Sequence, residues 1–284
     1  MVGSFDTVEH DWLIQMIQHR VKDGRVIDLI IRWIKVGTID EHGKRTAANI
    51  GVPQGAVISP LLSNIYLHYV FDLWSHNWRK KRARGEVIII RYADDGVLGF
   101  QYQREAIRYL EMLHQRMADF GLKVHPKKTR LLRFGRYAKA QCIERGIGRP
   151  ETFEFLGFTH YCTTKRSGEF TVGRRTSRKR LVNQIRAVKH ELRRQLHAPV
   201  GDTLKWLKSV IQGHYNYYGV PGNIKRLDTF KSEIVRGLLK MLRRRSQKSK
   251  LVWKTFGPFI NRTLPKPHIV HAYPGARFDA KYSR

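Results

Sequence analysis

A chain of 284 residues with 54 Lys and Arg against 23 Asp and Glu carries a formal charge of +31, and 42% hydrophobic residues suffice for a sizeable core. The composition argues against disorder, and two cysteines without a CxxC spacing argue against a disulfide framework or cysteine zinc site; a reducing cytoplasm fits. Charge this one-sided repels itself, and nucleic acid is the polyanion expected to relieve it.

The excess is uneven. Residues 1–160 carry 25 basic and 17 acidic residues, whereas residues 161–284 carry 29 and 6. Asp6, Glu9 and Asp11 stand where a signal peptide would be basic and then apolar. The uncharged run Thr46–Phe71 contains Pro53, Gln54, Pro60, Asn64 and His68, which hydrocarbon penalises, so no membrane span or membrane partner is expected.

In chain order, Trp12, Leu13, Met16 and Ile17, then Ile27, Ile30, Ile31 and Ile34, predict two helices separated near Gly24. Gly51–Gly55 reads as a loop, and Ser59-Pro60 starts a mostly apolar helix to about Trp78. Arg79–Gly85 reads as a basic loop. Glu86–Ala93 and Val97–Phe100 are β-rich runs joined by a turn at Asp94-Asp95-Gly96, a hairpin. Arg104–Phe120 is an amphipathic helix closed by Gly121. Short strands are expected at 122–124, 130–134, 153–158 and 169–172. Basic helices follow at about 177–197, 202–218 and 224–246, with 251–284 as an extended arm. The fold class expected is α+β followed by an all-α basic domain, divided as residues 1–174, 175–250 and a C-terminal extension 251–284.

The stretch Arg91-Tyr-Ala-Asp-Asp-Gly96 carries the most chemistry. A solvated turn needs only Asp-Gly, because Asp tolerates turn conformations. Two adjacent carboxylates repel, and a hard divalent cation such as Mg²⁺ would neutralise them while leaving positions open for phosphate. Two such ions about 3.5–4 Å apart activate an attacking hydroxyl and stabilise the leaving oxygen in phosphoryl transfer.

Tyr92-Ala-Asp-Asp95 resembles the catalytic motif of reverse transcriptases, and its neighbours match in order. Gly51-Val-Pro-Gln-Gly55 and the following Ala56–Leu67 resemble the nucleotide-binding motif. Gly121-Leu with Lys127-Lys-Thr129 resembles the next palm motif, and Phe155-Leu-Gly-Phe158 the primer-grip hairpin. Together with Gly213–Gly219, the chain resembles group II intron reverse transcriptase/maturases. The resemblance implies a partial palm, an antiparallel sheet with helices, followed by a helical thumb/maturase domain.

By that resemblance Asp94 and Asp95 would hold Mg²⁺. Pro53, Gln54, Gly55, Tyr92 and Ala93 would line the nucleotide site, with Phe5 beneath the sugar. Lys128 is the candidate general acid for pyrophosphate, a salt bridge or helix-end contact being the alternative. Phe155, Leu156, Gly157 and Phe158 would grip the primer. Gly3-Ser-Phe-Asp6 matches the end of the family's first palm motif, so its other metal-binding aspartate falls just before Met1, and the fingers precede that. In isolation the chain is therefore expected to polymerise poorly, with an N-terminal fragment as one source of fingers.

The basic helices carry Arg174, Arg175, Arg178, Lys179, Arg180, Arg193, Arg194, Arg243, Arg244 and Arg245, interleaved with aromatics. A charge run is often only a solvated face. Here cations with Tyr215 and Tyr218 as stacking surfaces suit structured RNA, while Trp206 and Tyr217 read as packing. His268-x-x-His271 lacks companion metal ligands. Two functions follow: Mg²⁺-dependent RNA-directed DNA polymerisation on an RNA template and DNA primer with dNTPs, or a non-catalytic maturase that binds intron RNA and retains a vestigial palm.

Overall fold

Each of the two cores is built from segments whose apolar spacing is visible in the sequence. The computed structural model describes residues 8–35, 51 and 57–273, and the backbone pairing of Thr38–Ile39 with Arg45–Thr46. The chain divides into two compact units, residues 1–132 and 133–284. The change of composition at Arg174 falls inside the second.

In the first unit, α1 (His10–Gln18) buries Leu13, Met16 and Ile17, and α2 (Gly24–Lys35) buries Ile34. The pair Thr38–Ile39 (β1) and Arg45–Thr46 (β2) is antiparallel. Helix α3 (Ser59–Leu67) carries Pro60 in its first turn, where the missing N–H costs nothing. It runs through a single π-turn, His68–Asp72, into α4 (Leu73–Arg82). The helix thus continues through most of the stretch expected as a basic loop. Arg79, Lys80, Lys81 and Arg82 form its last turn, where cations meet the negative end of the helix dipole.

Strands β3 (Val87–Tyr92) and β4 (Asp95–Phe100) form the hairpin, and α5 (Gln103–Ala118) packs behind it. Tyr109 is the centre of that packing: its ring meets Trp74, Trp78 and Phe100, and its hydroxyl lies 2.6 Å from Ser75 Oγ. The strands expected at 122–124 and 130–134 do not form; only Lys123 makes an isolated bridge. Gly121 (φ +66°) closes α5, and Leu122 is buried singly, so period-two burial never develops.

The second unit begins with a short unanticipated helix, α6 (Ala138–Glu144), which buries Ala138 and Cys142. A three-stranded antiparallel sheet follows, β5 (Phe153–Phe155), β6 (Phe158–Thr164) and β7 (Phe170–Thr176), in that order. Ser177 caps α7 (Arg178–Arg194) by accepting from the Arg180 amide. Helices α8 (Val200–Tyr218) and α9 (Ile224–Arg243) pack with it around Leu207, Ile211, Tyr215, Phe230, Ile234 and Leu238. Part of the expected extended arm is helical instead: α10 (Trp253–Thr263) buries Phe256 and Ile260 in the same core despite Pro258 within it.

Between α8 and α9 a buried amide ties sheet to helices. Asn223 Oδ1 accepts from the Thr176 amide at 2.9 Å, while Nδ2 donates to Thr176 Oγ1 and the Tyr218 carbonyl, each at 2.8 Å. Nearby, Gly219 lets the chain pass so close that a Cβ would stand 2.4 Å from the Tyr215 carbonyl oxygen. Its own carbonyl accepts from the amides of Val270 and His271.

Candidate active-site hairpin and basic helical surface

The hairpin turns one residue earlier than its sequence suggests. Tyr92 pairs with Asp95, so the loop is Ala93-Asp94 and Gly96 lies opposite Arg91 inside the ladder. The reason is register. With this loop, Val87, Ile89 and Arg91 face inward with Phe100 and Leu98, and a one-residue slip would turn that set outward. Ala93 takes the left-handed conformation (φ +50°), which L-residues with a Cβ avoid. Asp94 is half-buried at the tip, while Asp95 and Tyr92 are exposed.

Arg91 dominates the geometry beneath this tip. Its Nε and Nη2 donate to the two Asp72 oxygens at 2.7 and 2.6 Å, a bidentate charge-assisted pair. Its Nη1 donates to Asn64 Oδ1 at 2.9 Å and to the Ala93 carbonyl at 2.8 Å. Asp72 ends the π-turn, whose ladder shifts by one residue and leaves carbonyls turned aside. Arg116 of α5 takes two of them, donating to Val70 O at 3.1 Å and Tyr69 O at 3.4 Å. Its guanidinium lies 4.2 Å from the Phe120 ring centre, and burial holds its pKa below the ordinary arginine value. A cavity of about 480 Å³ borders this network, between α1 residues Met16 and Ile17 and the π-turn.

The oxygen-only chemistry of Asp94 and Asp95 fits a hard cation. The number of donors is small: among the described residues no group of three or more His, Cys, Asp or Glu is assembled. Asp72, the nearby carboxylate, is committed to Arg91. Lys128 stands on a separate exposed turn, its amide donating to His125 O. Phe5, Pro53, Gln54 and Gly55 lie outside the described residues. Gly51, just before that loop, is held by His10, whose Nε2 lies 2.6 Å from the Gly51 carbonyl oxygen.

In the second unit, Phe155 and Phe158 pair across a tight turn whose central residues, Leu156 (φ +49°) and Gly157 (φ +77°), are both left-handed, as a two-residue hairpin loop demands. Tyr217 fixes this turn. Its hydroxyl donates to Leu156 O at 3.1 Å and its ring stacks on Phe158. The Ser177 amide donates to Gly157 O.

The basic set divides by environment. Arg175, Arg178, Lys179, Arg180, Arg193, Arg194, Arg243 and Arg244 are exposed, while Arg174 and Arg245 are half-buried. Some are partly engaged: Arg175 lies over the Tyr161 ring, Arg194 pairs with Glu191, Arg243 donates to Leu251 O and Arg245 to Gln195 O. Two aromatic assignments are corrected. Tyr215 and Tyr218 are core residues, 0% and 5% exposed, and cannot present a ring face, whereas Tyr217 is 53% exposed. The helical phase of α8 carried this signal: Leu204, Leu207, Ile211, His214, Tyr215 and Tyr218 share one stripe, and Tyr217 falls off it. His214 stacks on Phe230 with ring centres 3.6 Å apart, and burial pushes its pKa down to about 4. His268 and His271 are each engaged with a backbone carbonyl oxygen, of Lys266 and Asn216.

A hairpin with Tyr-x-Asp-Asp at its turn, carried on a helical scaffold, defines a polymerase-type palm element, and comparison with known families agrees. Residues 1–160 match the family described as reverse transcriptase (RNA-dependent DNA polymerase), and the chain belongs to it. That family is in general one of metal-dependent polymerases acting on nucleic acid. Protein YkfC of Escherichia coli is 40% identical over 132 residues, 37% of this chain and 34% of that protein. The group II intron-encoded protein LtrA of Lactococcus lactis is 41% identical over 66 residues, 23% of this chain and 11% of LtrA. The putative COX1/OXI3 intron 1 protein of Saccharomyces cerevisiae is 36% identical over 83 residues, covering 29% and 10%. The matches thus span about a third or less of these relatives' length, and the relatives include intron-encoded proteins, as the motifs imply. No described helix is long and apolar enough to cross a membrane.

Proposed function

We propose that the chain serves a group II intron reverse transcriptase/maturase, joining RNA-directed DNA synthesis to the binding of intron RNA. The observation that supports this best is the Tyr92–Asp95 hairpin, where two carboxylates are presented on a tip anchored from below by Arg91. Asp94 and Asp95 would hold Mg²⁺, which when bound supplies positive charge for phosphoryl transfer. The chain's own residues then position the reactants: Tyr92 and Ala93 border the incoming dNTP with Pro53, Gln54, Gly55 and Phe5, and the Phe155–Phe158 turn holds the primer end. Lys128 would deliver a proton to departing pyrophosphate. Residues 1–174 would form the palm and 175–250 the thumb/maturase surface, with fingers contributed by a further segment.

Primer extension by the chain supplied with a fingers fragment, on an RNA template with DNA primer, dNTPs and Mg²⁺, tests the reading. Extension that disappears in Asp94→Ala supports it; extension that survives Asp94→Ala and Asp95→Ala refutes the assigned site. The exposed cations of α7 favour a second reading, a non-catalytic maturase on intron RNA. Tight, salt-sensitive RNA binding without extension, even with a fingers fragment supplied, would select it.

A further inference from the structure

We infer that Arg91 and Asp72 are positioning residues that set the backbone of the hairpin tip, and through it the direction of the Asp94 carboxylate. The inference rests on the reading above, that Asp94 and Asp95 hold a divalent cation. Four observations carry it. Ala93 is left-handed, as its two-residue loop demands but its own side chain disfavours, so a contact that holds the turn offsets a real local cost. Arg91 donates to the Ala93 carbonyl, which belongs to the peptide plane joining Ala93 to Asp94; fixing that oxygen fixes the plane from which Asp94 departs. The guanidinium is itself immobilised. Three of its nitrogens are spent on Asp72, Asn64 and Ala93, and its side chain is only 13% exposed. Asp72, finally, stands at the end of the π-turn, whose carbonyls at Tyr69 and Val70 are held by Arg116. A π-turn shifts helical phase by one residue, so residues after it face differently from those of an uninterrupted helix. Here the shift places a carboxylate beneath the hairpin.

Lysine cannot replace Arg91. It offers one point charge, whereas the site needs a planar fork donating along three directions. Loss of the guanidinium removes the side-chain donor that holds the Ala93–Asp94 peptide plane.

The test uses the full chain and two readouts. Selective ¹³C labelling of alanine, with Ala93→Gly to assign the signal, reports whether Ala93 keeps the chemical shifts of a left-handed residue. Terbium(III) luminescence, sensitised by the adjacent Tyr92 and corrected with an Asp94→Asn/Asp95→Asn variant, reports cation affinity at the tip. Arg91→Met, Arg91→Lys and Asp72→Asn are expected to lose the left-handed Ala93 signature and weaken terbium binding at least tenfold. The charge-swapped Arg91→Asp/Asp72→Arg variant separates positioning from simple ion pairing. It restores opposite charges but no donor to the Ala93 carbonyl, so neither readout should recover. An unchanged Ala93 signal in Arg91→Met, or full recovery in the swap, overturns the inference. Terbium binding insensitive to Asp94 and Asp95 would instead refute the cation reading, while the alanine signal still decides the role of Arg91.

Discussion

Replacing Asn223 with alanine removes three hydrogen bonds from a site where both Asn223 and Thr176 are fully buried. The losses are unequal. The Tyr218 carbonyl still accepts from the Val220 amide at 2.8 Å, and the Thr176 hydroxyl can rotate to another partner. The Thr176 amide has no such freedom and is left buried without an acceptor. An orphaned buried amide costs about 2 kcal/mol and each of the other two bonds about 1 kcal/mol net, giving about 4 kcal/mol in all. Urea denaturation followed by circular dichroism should show that loss, and hydrogen exchange should locate it in α8 and α9 rather than α1 or α5. Asn223→Asp keeps an acceptor for Thr176 but sets a buried carboxylate against the Tyr218 carbonyl. It should be at least as damaging at neutral pH and recover partly as acid protonates it. A loss below about 1 kcal/mol in Asn223→Ala would refute the keystone role of this amide.

Other expectations follow from the same packing. His214 resists protonation when folded, with a pKa of about 4 against about 6.5 unfolded, so the unfolded chain takes up the proton first. Its contribution to stability is intact above pH 6.5 and falls by up to about 3 kcal/mol towards pH 4; urea midpoints of His214→Phe should lack that component, and parallel acid sensitivity in both proteins would contradict it. Tyr217→Ala should keep the helical core, which it does not enter, loosen the Phe155–Phe158 turn, and weaken single-stranded RNA binding about 5- to 10-fold by fluorescence polarisation, the scale of a single base–aromatic stack. Tyr215→Ala and Tyr218→Ala should instead unfold the helical unit, seen by circular dichroism. Changing Arg178, Lys179 and Arg180 to Gln should lower the slope of log affinity against log salt by about 0.7 for each phosphate no longer neutralised, and an unchanged slope would remove α7 from the RNA surface.

Much of the fold was legible because its signals are local. The spacing of Leu13, Met16 and Ile17 specifies α1, and the β-rich runs around Asp94 specify a hairpin. The stripe along α8 also marks which tyrosines are buried, although composition alone suggested the reverse. What misled was punctuation: a basic run looked like a loop but ends a helix, and a proline-bearing tail looked extended but packs α10 through Phe256 and Ile260.

The amino-acid sequence by itself determined the charge division, the family motifs and the chemistry available at the paired aspartates, because these depend on residue identity and short spacing. Tertiary structure alone decided the rest. It brought Asp72 under Arg91, 19 positions apart, and Asn223 onto Thr176, 47 apart. It also set the turn at Ala93-Asp94, because burial of Val87, Ile89 and Arg91 outweighs the local preference for an Asp-Gly turn. Such pairings arise only when separate elements share a core, and no local pattern encodes which side chains will then meet.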